Sequence, residues 1–109
     1  MATTYKVLGQ VNPAATTNTT LYTVPSATQT IVSSISVCNQ AATAATFRIA
    51  VRVAGATLSA EEYIVYGATV PASDSTFFTL GLTLGATDVI TVYASSANLS
   101  FNAYGSEIA

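Results

Sequence analysis

The sequence predicts an all-β fold, an antiparallel two-sheet sandwich or jelly roll of about eight short strands. Apolar and polar residues alternate with a period of two along most of the chain, which places successive side chains on opposite faces of a strand. Turn-forming residues interrupt this alternation at short intervals, and only 7% of the residues are charged. A length of 109 residues suits one hydrophobic core, so we expect a single domain, residues 1–109.

The clearest predicted strand covers residues 46–53, which have one apolar and one mainly polar face. A strand of this kind covers the core with one face and meets solvent with the other. The residues expected to point inward are Phe47, Ile49, Val51 and Val53, and those expected to point outward are Arg48, Ala50 and Arg52.

The remaining strands follow from weaker versions of the same pattern. Residues 88–94 are apolar on both faces, which is typical of a central strand. Other strands are predicted within residues 5–11, 19–24, 31–38, 62–66, 78–84 and 99–104. Inward side chains are expected at Ile31, Ile35 and Val37 in one of these and at Phe78, Leu80, Leu82 and Leu84 in another. The predicted core therefore includes Phe47, Ile49, Val51, Leu80, Leu82 and Val92.

Two connections have distinctive sequences. The alanine-rich run of residues 41–45 favours helix by propensity, but its position between two predicted strands indicates the connection of a β-hairpin. Residues 58–62 are the one stretch expected to be helical, for about one turn, with Ser59 as the N-cap and Glu62 completing a capping box.

Charge and cysteine usage exclude several classes of function. The net charge is −2, and the three cations, Lys6, Arg48 and Arg52, are too few for a phosphate-binding surface, so no nucleic-acid partner is expected. Cys38 is the only cysteine and there is no histidine, which excludes an internal disulfide and a Cys/His zinc site. Cys38 is instead expected to be a buried thiol.

The apolar residues are dispersed, although the mean hydropathy is +0.50. No stretch approaches the ~18 consecutive apolar residues of a spanning helix, so no membrane partner is expected. The N-terminal residues lack the basic and apolar regions of a signal peptide, which predicts synthesis in the cytoplasm.

No catalytic, cofactor-binding or metal-binding residues are assigned from the sequence. The chain has five carboxylates, Glu61, Glu62, Asp74, Asp88 and Glu107. They are scattered, and four of them lie in predicted turns or at a terminus. Glu61, Glu62 and Asp74 are the one combination considered as oxygen ligands for a hard cation, but no loop has the spacing of a calcium site. Because no histidine is present to act as a general base, we expect no enzymatic activity.

Six tyrosines are the residues with the strongest potential for contact with partners: Tyr5, Tyr22, Tyr63, Tyr66, Tyr93 and Tyr104. Most are expected to be half-buried strand residues, with a minority available to partners.

Segments in both halves of the chain resemble known virion proteins. Residues 21–25, 31–39 and 45–51 resemble a segment of small tailed-bacteriophage virion proteins, including those of cyanophages. Residues 80–92 are similar to the Leu-x-Gly-Asp-x-ϕ-x-Val hairpin of many viral β-sandwiches, with Thr87-Asp88 in place of the Gly-Asp of that hairpin. The resemblance implies a virion β-sandwich domain and supplies no catalytic residues.

The resemblance and the low charge together predict a non-enzymatic virion structural protein. The leading hypothesis is a capsid decoration (cement) protein, a homotrimer at local threefold positions that binds the major capsid protein or other virion proteins. The alternative is a tail, neck, baseplate or fibre component that binds host glycans through tyrosines and turn hydroxyls. A small hydrolase or lyase is disfavoured, since no base, metal cluster or activated nucleophile can be assembled.

Residues 1–15 are expected to form an N-terminal assembly arm. They contain Tyr5, Val7, Leu8 and Val11 before the break at Pro13, which is enough apolar surface to add a strand to a neighbouring subunit. The alternative is an edge strand within the chain's own sheet.

Overall fold

A computed structural model, which describes residues 2–109, confirms the all-β prediction and consists of two antiparallel sheets packed face to face. The nine strands are β1 (Thr3–Val11), β2 (Thr19–Thr23), β3 (Gln29–Asn39), β4 (Ala45–Arg52), β5 (Tyr63–Val70), β6 (Ser75–Phe78), β7 (Leu82–Leu84), β8 (Val89–Ala94) and β9 (Leu99–Ile108). The five-stranded sheet has the order β1-β9-β3-β6, with β7 also pairing with β3. The four-stranded sheet has the order β2-β8-β4-β5.

The hydrophobic core lies between the two sheets. Phe47 of β4 is fully buried at its centre, with its ring centroid 6.1 Å from that of Phe101 and 5.8 Å from that of Phe78, both in edge-to-face geometry. Of the predicted core residues, Phe47, Ile49 and Val92 are fully buried. Val51 and Leu82 are half-buried and pack against the core from its margin.

Three residues predicted to point inward are exposed. Ile31 faces solvent because β3 has a bulge between Val32 and Ser34 where it pairs with β9. One extra residue reverses the alternation on the N-terminal side of the bulge, so Val32 takes the buried position instead. Val53 lies beyond the end of β4, in a one-turn 3-10 helix (Val53–Gly55), and is also exposed.

Leu80 is the third of these corrections. The strand predicted through residues 78–84 is interrupted, because Thr79, Leu80 and Gly81 lie outside β6 and β7. Gly81 has a φ of +60°, a left-handed conformation that breaks the extended backbone. Leu80 is consequently 40% exposed, although β6 and β7 both pair with β3 on either side of the break.

Both predicted hairpins are wrong, because each connection crosses from one sheet to the other. Residues 40–44 join β3 of the five-stranded sheet to β4 of the four-stranded sheet. The buried side chain of Asn39 holds this crossing: its Nδ2 donates to the carbonyl oxygens of Thr43 (2.9 Å) and Val70 (3.2 Å), and its Oδ1 accepts from the N–H of Ala41 (2.9 Å). A buried side-chain amide requires hydrogen-bond partners, and the backbone groups of these connections supply them to Asn39.

The second crossing, residues 85–88, joins β7 to β8. The Asp88 carboxylate accepts hydrogen bonds from the N–H groups of Gly85 (2.9 Å) and Ala54 (2.8 Å). Asp88 is therefore a loop-stabilising residue that ties this crossing to the turn after β4.

Thr87 in this crossing adopts a φ of +66°, which is strained for a β-branched residue. We expect Thr87→Gly to raise the free energy of unfolding by about 1 kcal/mol, because glycine reaches this left-handed region without the steric cost of a Cβ. Thr83→Gly in the exposed face of β7 is the matched control and should destabilise. Urea unfolding midpoints measure both changes, and a lower midpoint for Thr87→Gly would contradict the strained conformation.

The other strand predictions are confirmed, several with longer bounds. β8 lies between β2 and β4 as a central strand, and its residues are buried except for the half-buried Tyr93. A one-turn 3-10 helix (Ala60–Glu62) lies where the capping box was predicted, and its Glu62 carboxylate accepts a hydrogen bond from the N–H of Ser59 at 2.9 Å.

β1 is an edge strand that pairs with β9 of the same chain. Within residues 2–109 no helix is long and apolar enough to cross a membrane.

Candidate functional site

The carboxylates do not form a catalytic or metal cluster in the described part of the chain. Across residues 2–109, no group of three or more His, Cys, Asp or Glu side chains could hold a metal ion, so Glu61, Glu62 and Asp74 are not brought together. Asp74 accepts the N–H of Ser75 at 2.7 Å. Hydrogen bonds from its own backbone and from the Ser59 hydroxyl lower the pKa of Glu61. The hydrogen bonds of Glu61 and Asp74 are therefore local, each to residues of its own loop.

Glu107 has a different environment from the other acids. It lies in β9, where its Oε2 accepts a hydrogen bond from the Tyr22 hydroxyl of β2 at 2.5 Å. The hydroxyls of Tyr22 and Thr30 are 2.8 Å apart, and Lys6 Nζ lies 3.4 Å from Glu107 Oε1. This network links β1, β3 and β9 of one sheet to β2 of the other, so it closes one side of the sandwich.

The pKa values of two groups in this network are displaced in opposite directions. The hydrogen bond from Tyr22 and the nearby Lys6 hold the pKa of Glu107 below its ordinary value of 4.5, against the opposing effect of partial burial. Burial and the hydrogen bond to Glu107 raise the pKa of Tyr22 from 10.0 to about 12. The folded state therefore favours the ionised acid and the neutral phenol.

Stability is expected to fall between pH 10 and 12, because the unfolded chain releases the Tyr22 proton at 10.0 and the folded chain retains it to about 12. On the acid side, the contribution of Glu107 is present above its ordinary value of 4.5 and is lost as the pH falls through its lowered folded pKa. Urea unfolding across pH, with absorbance of the ionised phenol, measures both effects. A Tyr22→Phe variant that kept the whole alkaline loss would contradict this assignment.

The outer face of the four-stranded sheet carries an arginine held between aromatic rings. Arg48 of β4 lies opposite Tyr93 of β8 and Tyr66 of β5 in the strand register. Its guanidinium carbon is 4.1 Å from the ring centroid of Tyr93 and 4.3 Å from that of Tyr66. Tyr63 meets Tyr66 edge to face, with centroids 4.9 Å apart. We call Arg48, Tyr63, Tyr66 and Tyr93 the tyrosine–arginine surface.

A groove of about 560 Å³ borders this surface. One wall comes from the segment leading into the Ala60–Glu62 turn, and the other from the first half of β5, an edge strand. The lining residues are Leu58, Ser59, Ala60, Tyr63 and Tyr66. The groove therefore combines aromatic rings with hydroxyl groups.

The two arginines of β4 differ in their hydrogen bonding. Arg52 donates to the carbonyl oxygens of Ala56 (2.7 Å) and Gly55 (2.9 Å), which holds the turn after β4. Arg48 donates no hydrogen bond to protein within residues 2–109, and its contacts are with the two tyrosine rings. Its guanidinium donors are therefore left for solvent or a ligand.

A second surface covers the outer face of the five-stranded sheet. The outward residues of its strands include none that is charged among residues 2–109. Tyr5 and Phe77 are its most exposed large side chains, at 83% and 73%. We call the following residues the apolar face: Tyr5, Val7, Ile31, Phe77 and Tyr104.

The solvent exposure of the six tyrosines varies more than predicted. Tyr63 and Tyr93 are half-buried as predicted, and Tyr22 is buried. The other three tyrosines are exposed: Tyr5, Tyr66 and Tyr104. Cys38 was predicted to be a buried thiol, but the residue is only half-buried on β3.

The sequence matches no protein-family model, and no curated protein is significantly similar to it. The tyrosine–arginine surface, its groove and the apolar face are therefore identified from the geometry of the structure alone. Sequence alternation placed Arg48 on an outward face, but only the pairing of β4 with β5 and β8 brings Tyr66 and Tyr93 to either side of it.

Proposed function

We propose that this chain is a non-enzymatic structural protein of a phage virion, and that it acts as a homotrimeric capsid decoration protein. The observation that supports this proposal is the apolar face, where exposed aromatic and aliphatic side chains lie on a sheet surface without charge. Burying such a surface yields about 25 cal/mol per Å² of apolar area without desolvating charges. Exposed apolar surface of this kind marks contact sites between proteins.

The partners are further copies of this chain and the major capsid protein or other virion proteins, so the site of action is the virion. A decoration protein needs several modest contacts that act together, and a trimer supplies each contact three times. The 7% charged composition suits this task, because few charged groups must lose water when subunits meet.

The test measures trimer formation and capsid binding in a variant of the apolar face. Light scattering of the purified protein should give three times the chain mass of 11.2 kDa. Tyr5→Ser combined with Phe77→Ser should weaken assembly or binding to undecorated capsids about tenfold or more, as loss of exposed interface aromatics does. Tyr66→Ser, an exposed aromatic residue of the opposite sheet, is the control. Unchanged assembly and unchanged capsid binding in the double variant would refute the proposed interface.

The N-terminal segment, residues 1–15, is included in the proposed interface as an assembly arm. β1 is an edge strand, and its outer row of N–H and C=O groups is open to a neighbouring subunit. Deleting residues 2–11 should reduce oligomer mass or capsid affinity while circular dichroism shows a folded sheet. A folded variant with the same mass and full capsid affinity would show that β1 serves only its own sheet.

The alternative virion position is the tail, neck, baseplate or a fibre, with binding of host glycans. Labelling that locates the protein on the head or on the tail of the particle distinguishes the two positions. Hydrolytic turnover that is lost on changing Glu61, Glu62 or Asp88 singly would overturn the non-enzymatic proposal.

A further inference from the structure

We propose that the groove beside the tyrosine–arginine surface binds a neutral glycan, with a hexopyranose ring lying against Tyr66 and its hydroxyls bonded to groups around the groove. This site is separate from the apolar face, because it lies on the outer side of the other sheet. It therefore goes beyond the proposed structural role, and both surfaces can be occupied in the same molecule.

The shape and lining of the groove suit a sugar. Its volume of about 560 Å³ falls within the range of ~300–1,000 Å³ typical of small-molecule sites. A hexopyranose has a face of C–H groups that packs on an aromatic ring and a rim of hydroxyls that need donors and acceptors. Tyr66 is 65% exposed and supplies a ring, while Ser59 and Tyr63 add hydroxyls.

The aromatic platform is held in place before any ligand arrives. Arg48 lies between the rings of Tyr66 and Tyr93, and the edge-to-face contact with Tyr63 fixes Tyr66 from a second direction. Ordering a side chain on binding costs about 0.5–1.5 kcal/mol, and these contacts order Tyr66 in the free protein. Arg48 is a positioning residue, and its donors, which no protein acceptor takes within residues 2–109, lie beside the ring.

Charge distinguishes a neutral glycan from an acidic one. Glu61 and Glu62 follow the groove-lining Ser59 and Ala60, so two carboxylates stand against the single cation Arg48 beside the groove, and the chain carries a net charge of −2. Both carboxylates repel an anionic polymer, whereas either can accept hydrogen bonds from sugar hydroxyls. A polymer of neutral hexoses meets aromatic, donor and acceptor groups together, without charge repulsion.

The experiment titrates isotope-labelled full-length protein with maltohexaose, cellohexaose and an oligouronate, and follows amide and aromatic resonances. The expected result is saturable shifts in residues 58–66 with at least one neutral hexasaccharide. Tyr66→Ala should weaken that binding about tenfold or more. Leu80→Ala, a change of an exposed apolar residue between β6 and β7 that belongs to neither named surface, is the control and should bind as the unaltered protein does.

Arg48 has its own test as a positioning residue. Arg48→Ala should weaken glycan binding and broaden or shift the Tyr66 ring resonances in the free protein, and Arg48→Lys should restore part of the affinity by keeping a cation beside the rings. No shift with either neutral hexasaccharide, binding of the oligouronate alone, or equal binding by the Tyr66→Ala variant would each overturn the proposal. None of these results bears on trimer formation or capsid binding, so the two proposals fail separately.

Discussion

Replacing Ile49 by alanine should lower the free energy of unfolding by about 2–5 kcal/mol. Ile49 is fully buried in β4, which lies between β5 and β8, and its side chain belongs to the core between the two sheets. The neighbouring strands are paired on both sides of β4, so the backbone cannot collapse into the space left by the removed methyl and methylene groups. A domain of this size has a total stability of roughly 5–15 kcal/mol, so this single change removes a large part of it.

Two variants make the Ile49 experiment interpretable. Ile49→Val should cost only about 0.5–1.5 kcal/mol, because it removes one methylene and leaves a small cavity. Thr46→Ala, on the exposed face of the same strand, should change stability by less than about 0.5 kcal/mol. Urea unfolding monitored by circular dichroism ranks the three variants. If Ile49→Ala unfolded at the same midpoint as Thr46→Ala, the register of β4 described above would be wrong.

Replacing Gly105 by alanine should destabilise the protein about as much as Ile49→Ala does. We expect Gly105→Ala to lower the free energy of unfolding by about 3 kcal/mol or more. A Cβ at this position would lie 1.9 Å from the carbonyl oxygen of Ile31 and 3.0 Å from the Cα of Val32. Both are backbone atoms of β3, which pairs with β9 along its whole length, so no side-chain rotation relieves the clash. The bulge in β3 brings its backbone against β9 here, and only a residue without a side chain fits.

Gly85→Ala is the control for this prediction. The nearest atom to a Cβ there is Asp88 Oδ2 at 3.8 Å, an ordinary contact, so the change should be close to neutral. Soluble yield and the unfolding midpoint of each variant provide the comparison. A Gly105→Ala protein as stable as Gly85→Ala would show that β3 and β9 do not approach as closely as described.

The strands themselves could be predicted because their signal is local. Period-two alternation through residues 46–53 and the doubly apolar run of residues 88–94 each identified a strand and, in the second case, its central position. The turn before β5 could also be predicted, because a Ser59–Glu62 capping box depends on residues only three positions apart. Turn residues between these stretches then separated one strand from the next.

The candidate surfaces could be predicted only in part. Alternation assigned Arg48 to an outward face, but alternation says nothing about which strands are neighbours. The pairing of β4 with both β5 and β8 is what places Tyr66 and Tyr93 on either side of one guanidinium. In the same way, the sequence marked Glu107 as a terminal acid, whereas the packing of β2 against β9 gives it the Tyr22 hydroxyl as a partner.

The fold class, the location of most strands and the low charge could be predicted from the sequence, because each depends on composition or on residues close in the chain. Contacts between distant strands set the remaining features: the connections after Asn39 and Leu84 cross between sheets, and Ile31 and Leu80 face solvent. A strand with one apolar face satisfies its alternation equally well in either sheet. Which sheet it joins depends on hydrogen bonds and core contacts with strands far along the chain, and a bulge such as that beside Val32 reverses the buried face without changing the local pattern.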